Sequence, residues 1–138
     1  MVVLSNDEIK CISLFESLTG AIAEDCLLEP GRIVFIVKEG HMGRAIGKGG
    51  SVINKVRETF KKHVEVFENA STVEDFVKHL FPTVQLKELK ILNRDGERIA
   101  QISVNAKDRG AVIGRNGERI KLARTLLERR YGTKLRLV

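Results

Sequence analysis

Two stretches of this sequence share one pattern: residues 46–53 read IGKGGSVI and residues 113–120 read IGRNGERI. In both, a GxxG segment with a basic residue inside it lies between two isoleucines. A single GxxG is typical of an ordinary turn, since glycine commonly marks the places where the chain bends. The pattern is more specific here because the GxxG segment, its basic residue and both isoleucines occur twice. The two copies serve as reference points for the rest of the chain.

The repeat extends beyond the loops when the chain is compared with itself at an offset of 67 residues. Matching pairs at this offset include Val37 and Val104, Gly43 and Gly110, Ile53 and Ile120, and Arg57 and Arg124. A short connection near Asn69 and Ala70 separates the two copies. We therefore predict two domains, residues 1–69 and residues 70–138.

The first copy contains signals for three helices and three strands. A capping-box pattern from Ser5 to Glu8 predicts a helix that ends at Gly20. A short helix is expected before the glycine loop and a longer one after it. The first helix has one face that we expect to be buried, formed by Ile9, Ile12, Phe15 and Leu18. The strand candidates are residues 22–29, 33–37 and 64–67.

The second copy repeats this order. A capping pattern from Ser71 to Glu74 predicts a helix that ends before Pro82. Its predicted apolar face is formed by Val73, Phe76, Val77 and Leu80. The strand candidates are residues 84–92, 98–104 and 134–138. The predicted fold class is therefore α+β, with two tandem domains that each consist of a three-stranded sheet with helices on one face.

The two loops are the candidate binding sites. Glycine has no β-carbon, so the backbone of such a loop can approach a phosphate group closely. A longer helix begins directly after each loop, and its unpaired amides and dipole favour an anion there. Lys48 in the first loop and Arg115 in the second add positive charge. The pattern thus predicts that each loop binds a phosphate chain.

The distribution of charge supports a polyanionic partner. The chain has a formal net charge of +6. Residues 1–70 carry nine Lys and Arg against ten Asp and Glu, whereas residues 71–138 carry fifteen against eight. This asymmetry predicts that the second loop contributes more to binding a phosphate chain than the first.

Other chemistry has little support in the sequence. Cys11 and Cys26 lack the paired spacing of a zinc site, and we interpret them as reduced structural thiols, with a disulfide between them as the alternative. We expect no metal and no cofactor. No apolar stretch is long enough for a membrane span and the N-terminus does not resemble a secretory leader, so we expect a cytoplasmic protein that does not bind a membrane.

Both copies resemble the type II KH domain, and together they resemble the KH region of the archaeal NusA-like transcription factors. The resemblance is strongest in residues 37–50, VKEGHMGRAIGKGG, and residues 108–114, DRGAVIG. It implies a protein that binds single-stranded RNA in transcription elongation or termination. The sequence is expected to lack the polymerase-binding N-terminal domain and small β-barrel of bacterial NusA, so contact with RNA polymerase or the transcription complex stays open.

The resemblance places the RNA-binding residues in and around the two loops, because KH domains clamp about four nucleotides with their GxxG segment. The loops supply Gly47, Lys48, Gly49, Gly50, Gly114, Arg115, Asn116 and Gly117. Nearby basic residues that are candidates for further phosphate contacts are Arg44, Lys55, Arg109, Arg119 and Lys121. For each of these five, an ordinary solvated position is the alternative.

Two other classes of function fit parts of the sequence. A nucleotide-hydrolysing enzyme is disfavoured, because residues 43–50 fit neither the P-loop nor the dinucleotide GxGxxG spacing. A protein that binds double-stranded DNA, a ribosome-associated protein, or another KH protein that binds nucleic acid outside transcription is the stronger alternative, since phosphate clamping alone does not select the nucleic acid. With one Tyr and no Trp, an aromatic stacking platform is not expected.

Overall fold

The computed structural model describes residues 3–138, which fold as two units divided between Ala70 and Ser71. The first unit contains α1 (Asn6–Thr19), β1 (Ala23–Glu29), β2 (Arg32–Val37), α2 (Met42–Ile46), α3 (Ser51–Phe60) and β3 (His63–Glu68). The second contains α4 (Val73–Leu80), β4 (Glu88–Arg94), β5 (Glu97–Ser103), α5 (Arg109–Ile113), α6 (Glu118–Tyr131) and β6 (Thr133–Leu137). The predicted α+β class is confirmed, as is the presence of one three-stranded sheet in each of two tandem units.

The two sheets have the same topology. In each, the first strand pairs antiparallel with the second, and the third pairs parallel with the second. Because side chains alternate along a strand, one side of each central strand faces the helices. The buried residues on that side are Ile33, Phe35 and Val37 in the first unit and Ala100, Ile102 and Val104 in the second. These sets differ by the 67-residue offset of the sequence repeat.

Aromatic contacts link the helices to the core of the first unit. Phe15 of α1 stacks on Phe35 of β2 with ring centroids 4.1 Å apart, and Phe60 at the end of α3 lies 5.8 Å from Phe35. In the second unit, Phe76 of α4 and Tyr131 of α6 approach to 5.3 Å. The predicted apolar face of α4 is confirmed, since Val73, Phe76, Val77 and Leu80 are all buried.

Three details of the sequence analysis need correction. The capping box at Ser5 and Glu8 is present as predicted, but α4 begins differently, because the side chain of Thr72 accepts from the Asp75 amide. Ile9 was expected on the buried face of α1, yet it is 51% exposed. Strand β4 begins at Glu88 rather than residue 84, because the Val84 amide donates to the Phe81 carbonyl in a turn after α4.

The two cysteines are free thiols in the structure. Burial raises the pKa of the Cys11 thiol and nearby Asp7 raises it further, which lowers the fraction of thiolate. Among residues 3–138, no group of three or more His, Cys, Asp and Glu is arranged to hold a metal ion. No helix in this described part of the chain has both the length and the apolar character needed to cross a membrane.

Candidate nucleic-acid interface

Both glycine loops connect a short helix to a longer one and have the same backbone. Gly47 has φ 73° and ψ 169°, and Gly114 has φ 75° and ψ 174°. The Gly47 amide donates to the Gly43 carbonyl at 2.9 Å, and the Gly50 amide donates to the Gly47 carbonyl at 3.1 Å. The equivalent bonds in the second loop have the same lengths. The sequence repeat is therefore a repeat of loop geometry.

The first glycine of each loop packs against the helix that follows. A β-carbon on Gly47 would lie 2.5 Å from Val52 Cγ2 and 2.9 Å from the Val52 amide nitrogen. On Gly114 it would lie 2.6 Å from Arg119 Cβ. Such distances are closer than packed atoms tolerate, so the fold itself requires glycine here. Packing is thus a second reason for glycine at this position, beside the predicted access to phosphate.

The second and third loop positions form the exposed part of each loop. Lys48 and Gly49 are exposed in the first loop, as are Arg115 and Asn116 in the second, whereas the flanking glycines are half-buried. Gly49 has φ 61°, and a β-carbon there would have open space around it to 4 Å; Asn116 has φ 57°. Asparagine adopts this left-handed conformation more readily than most residues. The two loops therefore keep one backbone with different exposed side chains.

The last glycine of each loop lies beside a polar residue of the following helix. A β-carbon on Gly50 would be 3.8 Å from Asn54 Nδ2, and one on Gly117 would be 3.8 Å from Lys121 Cε. The structure thus brings Lys121 to its loop, as the sequence predicts. The sequence analysis did not place Asn54 near the first loop, although the 67-residue offset aligns it with Lys121.

Arg44 and Lys55 are exposed on the helices that flank the first loop. The Nη1 atom of Arg44 lies 3.4 Å from His41 Nε2, and His41 Nδ1 accepts from the Ile22 amide at 2.9 Å. A neutral imidazole with Nδ1 as acceptor carries its proton on Nε2, which then cannot accept from Arg44. The Arg44 guanidinium is consequently not held by this histidine.

Arg109 and Arg119 have structural contacts in the second unit. Arg109 Nη1 donates to the Val138 carbonyl at 2.9 Å and so ties the start of α5 to the end of β6. Arg119 is half-buried, and its Cβ packs beside Gly114. Arg109 is therefore less free to reach a phosphate than its position in the sequence indicates.

The aligned pair Arg57 and Arg124 fixes each long helix on its sheet. Arg57 Nε and Nη2 donate to the Val64 carbonyl at 3.4 Å, and Arg124 Nε donates to the Leu135 carbonyl at 3.3 Å. The match at the repeat offset thus reflects a structural contact. Arg124 keeps its positive charge, but this bond holds its guanidinium at the sheet.

The first residue of the long helix differs between the units. Ser51 begins α3, whereas the exposed Glu118 begins α6. A carboxylate in the first turn of a helix interacts favourably with the same dipole end that would attract a phosphate. Glu118 would therefore oppose the binding of an anion at the second loop, an effect of position that the net charge of that half of the chain does not reveal.

Comparison with known proteins gives consistent results. The KH domain family matches residues 11–96. The chain is 38% identical over 130 residues to a probable transcription termination protein NusA of Halococcus morrhuae, covering 94% of this chain and 93% of that protein. The protein of the same name from Methanocaldococcus jannaschii is 35% identical, covering 93% and 70%. The crystal structure of APE1850 has a TM-score of 0.86 at 38% identity, covering 98% and 100%.

Proposed function

The chain belongs to the KH domain family and, within it, to the archaeal NusA-type proteins, and we propose that it is a transcription elongation or termination factor that clamps single-stranded RNA with its two GxxG loops. The KH fold supports RNA binding, since this domain typically binds single strands. The names of the relatives support a role in transcription termination. RNA within a transcription complex is the proposed partner.

The observation that carries this proposal is the shared geometry of the two loops. In each loop, the amides of the last glycine and of the next residue donate to carbonyls within the loop, as Gly50 does to Gly47 and Ser51 to Lys48. The amides of the second and third loop positions are not donors in these hydrogen bonds, and both positions are exposed. We assign the phosphate contacts to the amides and side chains at these two positions.

The exposed side chains have distinct proposed roles. Lys48 offers a compact ammonium to an RNA phosphate, whereas the guanidinium of Arg115 can donate two parallel hydrogen bonds. Asn116 adds an amide donor that Gly49 cannot supply. Arg44, Lys55, Arg119 and Lys121 add longer-range attraction. Gly47, Gly50, Gly114 and Gly117 maintain the backbone of the two loops.

A titration with three nucleic acids of matched length tests the proposal. Single-stranded RNA should bind more tightly than single-stranded DNA, and both should bind more tightly than duplex DNA. A preference for duplex DNA would contradict the proposal and favour a nucleic-acid-binding role outside transcription. A variant with Lys10→Glu, an exposed residue of α1 outside both loop sequences, serves as a control for net charge.

A further inference from the structure

The second sheet presents a positively charged face opposite its helices. Ala100 and Ile102 of β5 are buried toward the helices, so the alternating residues Ile99 and Gln101 lie on the other side. The strand register places Lys90 and Arg136 on either side of Gln101. We call this surface the outer face of the second sheet; it consists of Glu88, Lys90, Leu92, Arg94, Glu97, Ile99, Gln101, Ser103, Lys134 and Arg136.

Two of its four basic residues are already neutralised. Lys90 Nζ lies 2.6 Å from Glu88 Oε1, and Lys134 Nζ lies 2.9 Å from Glu97 Oε1. The exposed Arg94 and Arg136 have no ion-pair partner among residues 3–138. The outer face therefore retains two guanidinium groups that are free to bind an anionic group.

An apolar centre lies between these charges. Leu92 pairs with Ile99 across the two strands, and both side chains are half-buried. Lys134 is aligned with Ile99 on the other side. A small aliphatic centre with arginine at its border is the composition of a protein-docking surface, where arginine is enriched and apolar area is concentrated in the middle.

The first sheet shows that the KH fold does not require this composition. Its corresponding row across the three strands is Leu27, Val34 and Glu65, in place of Lys90, Gln101 and Arg136. Val34 is fully buried, whereas Gln101 is only half-buried. The basic row is therefore particular to the second sheet.

We propose that the outer face of the second sheet docks an acidic segment of a protein partner that also carries aliphatic side chains. Carboxylates of the segment pair with Arg94 and Arg136, and its aliphatic groups cover Leu92 and Ile99. An RNA chain fits this surface less well, because the centre is aliphatic and two glutamates lie beside the basic residues. The face lies across the sheet from α5 and α6, which carry the second glycine loop, so a protein docked there leaves that loop accessible to RNA.

The experiment uses the full chain and a short synthetic peptide that alternates Glu with Leu or Val. Backbone amide shifts followed by NMR should change at Leu92, Ile99 and Gln101 during the titration. The double variant R94E–R136E should bind the peptide about tenfold more weakly or worse. The matched double variant K10E–K78E, altered at exposed positions on α1 and α4, should bind it like the unmodified chain.

The same proteins titrated with single-stranded RNA separate this proposal from the proposed function. R94E–R136E should lose no more RNA affinity than K10E–K78E. A larger loss would show that the outer face binds RNA and would overturn the docking proposal while leaving RNA binding intact. Absence of peptide-induced shifts on the outer face, or equal peptide binding by both double variants, would also overturn it.

Discussion

The first and second glycine loops share a backbone but differ in their exposed chemistry. Their first glycines have dihedral angles within a few degrees of each other, and both pack against the following helix. The third position is glycine in one loop and asparagine in the other, in the same left-handed conformation. The comparison teaches that packing at the first glycine sets the shape of the loop, while the exposed positions can vary in charge and hydrogen bonding.

The second loop has a smaller advantage in direct phosphate contacts than the charge composition of the two halves suggests. In the second unit, Arg109 is bonded to Val138, Arg124 is bonded to Leu135, and Glu118 lies in the first turn of α6. The prediction that the second loop binds RNA more strongly thus depends on its local residues. Those residues are Arg115, Asn116 and Lys121.

The largest expected effect is on folding, at the first glycine of either loop. Gly47→Ala and Gly114→Ala should each lower the free energy of unfolding by about 3 kcal/mol, because the added carbon collides with the next helix and the residue has a positive φ. Gly49→Ala should cost only about 1 kcal/mol, since its surroundings are open. Urea denaturation measures all three variants. Equal losses for Gly47→Ala and Gly49→Ala would disprove the packing role.

The next effect distinguishes the two loops in RNA binding. Arg115→Asp should weaken binding of single-stranded RNA about tenfold, and Lys48→Asp about threefold, because arginine can bind a phosphate through two hydrogen bonds. Circular dichroism checks that both variants fold, and a fluorescence titration gives their affinities. A greater loss for Lys48→Asp would reverse the assignment of the second loop as the stronger clamp.

A smaller effect, on the free energy of unfolding, is expected at the C-terminal caps of the two long helices. The C-terminal cap of α3 is Lys61 with φ 54°, whereas that of α6 is Gly132 with φ 56°. Lys61→Gly should raise the free energy of unfolding by about 1 kcal/mol, since glycine adopts this conformation without strain. Gly132→Lys should lower it by a similar amount. Thermal unfolding of both variants tests this, and a destabilised Lys61→Gly would contradict the explanation.

The smallest effect concerns the first residue of each long helix. Ser51→Glu in the first unit should weaken RNA binding. Glu118→Ser in the second unit should strengthen it. Each change should be about two- to fivefold, corresponding to ~0.3–1 kcal/mol for a charge at a helix end. Titration at low salt maximises the difference. If Glu118→Ser bound RNA no more tightly than the unmodified chain, Glu118 would not oppose phosphate binding.

The element order was predictable because it is encoded in local patterns that occur twice. The Ser5 capping box, the Gly20 stop and the apolar face of α4 depend on residues close together in sequence. The start of β4 was predicted wrongly, because Val84 continues an apolar pattern but its amide is used in the turn that follows α4. Hydrogen bonding overrides apolar periodicity there.

The position of the candidate site was also predictable, whereas the roles of individual residues were not. The GxxG pattern identified both loops, but the close packing of Gly47 on Val52 depends on how the loop folds back on α3. The bond from Arg109 to Val138 joins residues 29 positions apart. The basic row on the outer face of the second sheet arises from strand register, which no single segment of sequence reveals.

The central claim, that the two loops bind RNA through its phosphates, is tested most directly by the salt dependence of RNA binding. The unmodified chain and the double variant K48D–R115D would be titrated with a single-stranded RNA across a series of salt concentrations. The logarithm of the affinity should fall linearly with the logarithm of the salt concentration, with a slope of about −0.7 per phosphate contact. We expect weaker binding and a shallower slope for the double variant. Equal affinity and equal slope for the two proteins would contradict the assignment of the loops as the phosphate clamps.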